Sequence, residues 1–220
     1  MFVLLLGRRD LANTKAFDEN VDKYEKWFVD NEFAFQSELR AIISALPNNK
    51  CGVEIGIGSG VFANNLGIKD GIEPSLNMRN LAKQKGLNVL DGIAEALPYS
   101  DATKDFALMI TTVCFVDDVL KSFREVNRIL KKKGQFIIAF VDKNSMLGKT
   151  YLKYKNKSVF YVEANFFGTE DIYNLLRKTE FKIIKTYQTI FGQLDKIKQI
   201  QNVLEGHGKG SFVVIKSEKV

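Results

Sequence analysis

Three glycines at alternate positions, Gly56, Gly58 and Gly60, stand behind an apolar run in Cys51-Gly52-Val53-Glu54-Ile55-Gly56-Ile57-Gly58-Ser59-Gly60-Val61-Phe62-Ala63. Glycines at this spacing let the chain turn tightly and bring its backbone against a bulky partner that a side chain would hold off. A helical pattern opens directly behind them and points its free N–H groups at the same spot. Glu54 adds a carboxylate just ahead of the turn, and Ile57 and Ser59 complete it. The chemistry on offer is recognition of a nucleotide-like ligand by backbone and carboxylate. A second acid, Glu73, followed by Pro74, ends a short strand predicted within Lys69-Asp70-Gly71-Ile72-Glu73-Pro74-Ser75. A carboxylate so placed can accept from both vicinal hydroxyls of a ribose.

Residues for nucleophilic or metal chemistry are sparse. The sole histidine, His207, lies in Gly206-His207-Gly208 and reads as a surface-loop residue. Asp142, at the end of the predicted fifth strand, is the better-placed acid and could orient an amine. These two are the catalytic candidates. Cys51 and Cys114 sit in or beside apolar segments and read as reduced, buried thiols; with one histidine they are too few for a metal site.

The elements that must position these groups follow from periodicity. Residues 1–16 show no clear period and read as a leader. Phe17, Val21, Tyr24, Trp27 and Phe28 recur at three- and four-residue steps and predict one helix. Phe35, Leu39, Ile42, Ile43 and Leu46 predict a second over 33–46, closed by Pro47-Asn48-Asn49. Helices follow at 76–85, capped by Ser75 and closed by Gly86, and at 119–130. Another is expected at 169–178, with Thr169 as cap and acids behind it. Strands are predicted at 53–55, 69–73, 88–90, 104–112, 135–141, 182–190 and 211–216. Segment 142–167 reads as a long insertion at the sheet's C-terminal edge, where open α/β folds bind ligands.

At 220 residues the chain suits one α/β domain, here 17–220, and its 45% apolar content excludes a disordered chain. The net charge of +6 is concentrated in Lys131-Lys132-Lys133 and along Lys143 to Lys157; both groups read as solvated. The apolar Met1-Phe-Val-Leu-Leu-Leu6 is short and precedes its basic residues, unlike a signal peptide, and no run is long enough to span a membrane. A cytoplasmic protein is expected, with no membrane partner.

The glycine stretch, with Glu54 before it and Val61 where a dinucleotide fingerprint wants its third glycine, resembles motif I of the class I S-adenosylmethionine (SAM)-dependent methyltransferases. Lys104-Asp105-Phe106-Ala107-Leu108-Met109-Ile110-Thr111-Thr112 and the loop and helix behind it resemble the methyltransferase type 11 group, which includes ubiquinone-biosynthesis enzymes. Lys104 replaces the usual aromatic, and Cys114 and Phe115 stand where histidines are frequent. Proteins of this overall look include some with a provisional histamine N-methyltransferase label, though no residue here specifies an imidazole acceptor. The resemblance runs over about residues 17–141. It implies a Rossmann-like seven-stranded sheet with helices on both faces and an antiparallel last strand, S-adenosyl-L-methionine as cofactor, and methyl transfer by in-line displacement.

The resemblance also assigns residues. Glu54, Gly56, Ile57, Gly58, Ser59 and Gly60 form the cofactor turn, and Glu73 and Pro74 the ribose site. Asp91-Gly92-Ile93-Ala94-Glu95-Ala96-Leu97-Pro98 resembles the adenine segment, with Ile93 where an acid is common; Gly92, Ile93, Ala94 and Glu95 join the cofactor set, Ile93 expected to pack on adenine and the backbone near Ala94 to bond it, with a helix N-terminal acid the alternative role for Glu95. Thr111 completes the cofactor set, and helices 17–46 cover the cofactor with Tyr24 and Trp27. Phe28, Phe115, Tyr151, Tyr161 and Phe166 are the acceptor-pocket candidates.

Methyl transfer from an activated sulfonium needs placement more than a protein nucleophile, so the missing catalytic triad does not argue against an enzyme. A small-molecule methyl acceptor is the expected partner. The alternatives are an RNA or protein methyltransferase, favoured by the basic insertion and disfavoured by Thr111-Thr112-Val113-Cys114 in place of Asn-Pro-Pro-Tyr, and a non-catalytic SAM-binding protein. A NAD-dependent oxidoreductase is disfavoured by the glycine spacing. Oligomeric state has no signature in the chain.

Overall fold

Short runs rich in Val, Ile and Phe alternate with helical stretches. In the computed structural model, which describes residues 14–48 and 51–220, they assemble into an eight-stranded sheet. Strands β1 (Gly52–Ile55), β2 (Asp70–Ile72), β3 (Asn88–Leu90), β4 (Lys104–Ile110) and β5 (Leu130–Val141) pair in parallel in the order β3-β2-β1-β4-β5. Beyond β5 the direction changes. Strand β8 (Phe212–Lys219) lies antiparallel between β5 and β6 (Phe181–Thr189), with Ile138 opposite Ile215, and β7 (Leu204–Glu205) forms the outer edge.

Alternation along the central strands divides the core into two layers. Leu108, Ile137 and Val214 face one side, packed with Phe35, Leu39 and Ile42 of α3 (Glu32–Ala45). Met109, Ile138 and Ile215 face the other, packed with Phe123 and Val126 of α6 (Val119–Ile129) and Ile172 and Leu176 of α8 (Thr169–Lys178). The expected helices on both faces and antiparallel closing strand are both present. Eight strands replace the expected seven because Leu204 and Glu205, in a polar connection without strand periodicity, pair with Gln188 and Tyr187.

Local differences have local causes. The stripe from Phe17 to Phe28 is broken at Asn20 (φ −132°, ψ 36°) into α1 (Lys15–Glu19) and α2 (Val21–Asp30); the Asn20 amide bonds the Ala16 carbonyl at 2.8 Å. Of the expected leader, residues 1–13 lie outside the described residues, and Lys15 and Ala16 belong to α1. Helix α4 (Val61–Leu66) follows the glycine turn, and α5 (Leu76–Gln84) begins as expected at Ser75, whose hydroxyl accepts from Met78 N. Strand β5 begins earlier than expected, at Leu130, which pairs with Lys104. Lys104 itself pairs with Asp70 at 3.0 Å and lies over the Tyr99 ring, so the departure from an aromatic serves the sheet. Segment 142–167 is no simple loop. It holds α7 (Met146–Tyr154), capped by the Ser145 hydroxyl, and a 3-10 turn at Lys155–Lys157. Cys51 is exposed rather than buried, since it precedes the first strand pairing; Cys114 is half-buried. No helix among the described residues is long and apolar enough to cross a membrane.

Candidate functional site

The glycine turn is locked onto the end of β2. The amides of Gly56 and Ile57 both donate to the Ile72 carbonyl at 3.0 Å, and Gly60 N donates to Ile57 O. Gly58 has φ +57°, and a Cβ there would lie 3.1 Å from the Tyr24 hydroxyl, so the missing side chain keeps a space open between the turn and α2. Glu73, at the C-terminal end of β2, accepts from Gly58 N at 2.8 Å and Ser75 N at 2.9 Å. Burial pushes its carboxyl up to about 7, against the opposing pull of those amides and of Arg79. Arg79 bonds the Glu73 and Pro74 carbonyls and pairs with Asp91. The turn, the acid and the first turn of α5 therefore form one braced unit.

Behind the turn Glu54 is buried, and its Oε2 has no hydrogen-bond partner among the described residues. Burial and neighbouring Glu73 hold its carboxyl well above the usual range, although the Ala63 amide at the start of α4 opposes this. Ile57, Ser59 and Gly60 belong to the turn without lining the cavity. Ile57 packs on Gly71, the Ser59 hydroxyl donates to Glu25, and Gly60 fits against Leu87.

A cavity of about 450 Å³ opens in front of this unit. Gly56, Gly58, Glu73 and Pro74 form its floor; Gly92, Ile93, Ala94 and Glu95 form one wall, and Thr111 and Thr112 another. Glu95 accepts from the amides of Asp117 and Asp118, so it serves the N-terminus of α6 rather than a helix of its own segment. Phe17, Tyr24, Trp27 and Phe28 of α1 and α2 close over the space, with Tyr24 and Phe28 edge-to-face at 5.1 Å. The far wall is Phe115 with Tyr151, Phe160 and Tyr161 from segment 142–167; Tyr151 and Tyr161 stack at 5.0 Å and Phe17 meets Phe115 at 5.0 Å. Phe166 stands one layer behind, 5.5 Å from Tyr161, outside this cavity.

Neither catalytic candidate reaches the cavity. The buried Asp142 carboxylate accepts from Asn144 N at 2.7 Å, Thr169 N at 3.0 Å and the Thr169 hydroxyl at 2.6 Å. It fastens the end of β5 to the start of α8, whose cap is Gly168 rather than Thr169. His207 packs edge-on to Tyr173 and lies 3.6 Å from Glu170. Among the lining residues that the site reading did not include is an acid. Glu38 is buried in α3 and faces the cavity, and burial pushes its carboxyl up to about 8. An acid three residues after Phe35 and four before Ile42, on an apolar stripe, was the available signal.

Comparison with known proteins bears on what this cavity holds. A family model described as a methyltransferase domain (Methyltransf_11) matches residues 53–138, which span the turn through β5. A solved SAM-dependent methyltransferase from Thermotoga maritima, described as a possible histamine N-methyltransferase, is 47% identical with a TM-score of 0.92; the match covers 94% of this chain and all of that one. The chain belongs to the SAM-dependent methyltransferases. An uncharacterized protein of Methanocaldococcus jannaschii is 39% identical to this methyltransferase over 204 residues, 93% of this chain and 98% of that protein. A Haloferax volcanii methyltransferase solved in complex with its Trm112 activator shares the fold at 16% identity, with a TM-score of 0.67 and coverage of 92% and 96%.

The cofactor of this methyltransferase is S-adenosyl-L-methionine, and the residues present fit it. The space kept open at Gly58 and the buried Glu73 at a strand end, both lining the cavity, are features that suit a polar, bulky ligand. When bound, that cofactor supplies a methyl group already activated as a sulfonium. What remains for the chain is to bind, orient and exclude water.

Proposed function

We propose that this methyltransferase acts on a small molecule, methylating a nitrogen, oxygen or sulfur nucleophile placed in line with the activated methyl. The observation that carries this reading is the walled cavity in front of the glycine turn. Its roughly 450 Å³ sits near the low end of the ~300–1,000 Å³ usual for small-ligand sites, and cofactor and acceptor must share it. With α1 and α2 on one side and segment 142–167 on the other, what is left beside the cofactor suits a compact acceptor.

In this reading Gly56, Gly58 and Thr111 take the backbone approach of the cofactor, Glu73 its ribose hydroxyls, and Ile93 and Ala94 its adenine. Tyr24, Trp27 and Phe28 then line the reacting centre, which loses positive charge as the methyl leaves; aromatic faces suit both states. Orientation of the acceptor supplies the acceleration. Phe115, Tyr151 and Tyr161 wall the acceptor.

The test offers methyl-labelled SAM and the purified protein to three pools: small amines, alcohols, acids and thiols, histamine included; total RNA; and a protein extract. Label entering one or more small molecules is the expected result. Label confined to RNA or protein would overturn the reading, and no transfer to any pool would favour a SAM-binding protein without catalysis.

A further inference from the structure

Glu38 serves neither the glycine turn nor the packing of the fold. It is 5% exposed and lines the cavity, and no hydrogen bond or ion pair reaches its carboxyl from the described residues. Of the other buried acids near the site, Glu73 is served by two amides and the nearby Arg79, and Glu54 by the Ala63 amide, its unpartnered Oε2 lying behind the turn and outside the cavity lining. A buried carboxyl with no partner is unfavourable, and an apolar residue would pack better on this face of α3. The unmet requirement is for a hydrogen-bond donor or a cation, and the cavity is where one can enter. Lys23 is the cation among the described lining residues; it is exposed and makes no ion pair with Glu38.

The electrostatics divide the cavity into two ends. Glu54 and Glu73 act on each other and on Tyr24. Glu38 also acts on Tyr24, and it is the carboxylate whose field reaches Tyr151 and Tyr161. Tyr24 thus marks the boundary between the cofactor end and a second end made of Glu38 and the tyrosines of segment 142–167.

We propose that Glu38 is the specificity-determining residue of the acceptor site, binding the N–H or ammonium group of a small amine against the rings of Tyr151 and Tyr161. This rests on the small-molecule reading and narrows it to one class of acceptor. A carboxylate accepts from several N–H donors at once, and tyrosine faces add attraction for a cation. Its raised affinity for a proton brings it close to the range of amines, so a proton can be shared between the two. Below about pH 8 the carboxyl keeps its proton and offers an acidic or phosphorylated acceptor no positive charge, and above that pH such an acceptor meets an anion with no neutralising group.

Trp27 is the single tryptophan of the chain and lines the cavity, so its emission reports occupancy. With the protein saturated with S-adenosylhomocysteine, matched sets are titrated: phenethylamine, phenethyl alcohol and phenylacetate, and the corresponding alkyl and imidazolyl series. Within at least one series, titrated at pH 8.5 where the carboxyl is ionised, the amine should bind tenfold or more tighter than its alcohol, and the acid more weakly than both. E38Q should abolish that preference while leaving S-adenosylhomocysteine affinity, by calorimetry, within twofold. Its thermal melt at pH 8 should match or exceed the wild type. Two results overturn the assignment: no amine preference in any wild-type series, or loss of S-adenosylhomocysteine affinity in E38Q, which would place Glu38 on the cofactor's own amino group. Label transfer to alcohols or thiols but not amines would sink the Glu38 assignment alone, whereas transfer only to RNA or protein would sink the small-molecule reading beneath it.

Discussion

Glu73 holds the Gly58 amide of the glycine turn and the Ser75 amide at the cap of α5 as well as facing the cavity, so its removal acts on both preorganisation and contact. Glu73→Ala should weaken SAM binding by about 1–3 kcal/mol, the scale of a charged hydrogen-bonding group lost from a buried site, as calorimetric titration would read. Gly58→Ala places a methyl group 3.1 Å from the Tyr24 hydroxyl at φ +57°. It should cost about 1–2 kcal/mol of stability for the left-handed backbone and lower SAM affinity further than it lowers the melting temperature. Glu38 gives a pH signature. Its carboxyl titrates at about 8 in the folded protein against 4.5 in an open chain, and the facing groups Tyr24, Tyr151 and Tyr161, raised by burial, stay neutral throughout. Between these values the unfolded chain has lost a proton that the folded one retains. The contribution of this group to stability is therefore full below pH 4.5 and is lost as pH rises toward 8, by about 1.4 kcal/mol per unit. Subtracting the Glu38→Gln melts from the wild-type melts across pH 4.5–8 isolates it; a flat difference would remove the raised carboxyl from the account.

At the scale of elements, the joints matter more than the helices. Asp142 ties β5 to α8 through Asn144 and Thr169, away from the cavity. Asp142→Ala should lower stability by about 1–3 kcal/mol in denaturant titration and leave SAM affinity unchanged. Asp18 makes the corresponding joint for α1, accepting from the Ser75 hydroxyl at 2.6 Å and Asn77 N at 3.1 Å. Burial would raise its carboxyl, but these bonds and that of Thr14 outweigh it and hold it below the usual range. Asp18→Ala should free the short helix that carries Phe17 and speed SAM dissociation in stopped-flow chase. Helices with strong apolar stripes, α6 and α8, were legible in the sequence almost to the residue. The break at Asn20 was not, because a stripe of Phe17, Tyr24 and Phe28 continues across it in register. Asp142 looked catalytic for the reason that makes it structural: an acid at the end of a strand meets the free amides of whatever follows.

At the scale of the molecule, the glycine turn, Glu73 and residues 92–95 were readable as stretches that meet at one cavity because each is local, a few residues at fixed spacing. Glu38 was not, since its meaning depends on Tyr151 and Tyr161 arriving from more than a hundred residues away. Strand order was equally out of reach of periodicity, as β8 pairs with β5 and β6 across most of the chain. Ile215 sits fully buried at that junction, opposite Ile138 and Thr186. Ile215→Lys should abolish the folded circular-dichroism signal altogether, by burying a charge where nothing neutralises it.

The position of β8 also sets a schedule. On the ribosome β5 and β6 are both complete while the strand that belongs between them has yet to be made, so the nascent chain carries two long bare edges side by side. Such edges are templates for pairing with other chains. A product halted shortly before residue 212 would have its glycine turn and all of its described helices, yet it would be sticky rather than merely inactive. A cell making this enzyme has reason to shield it until the last strand slides home.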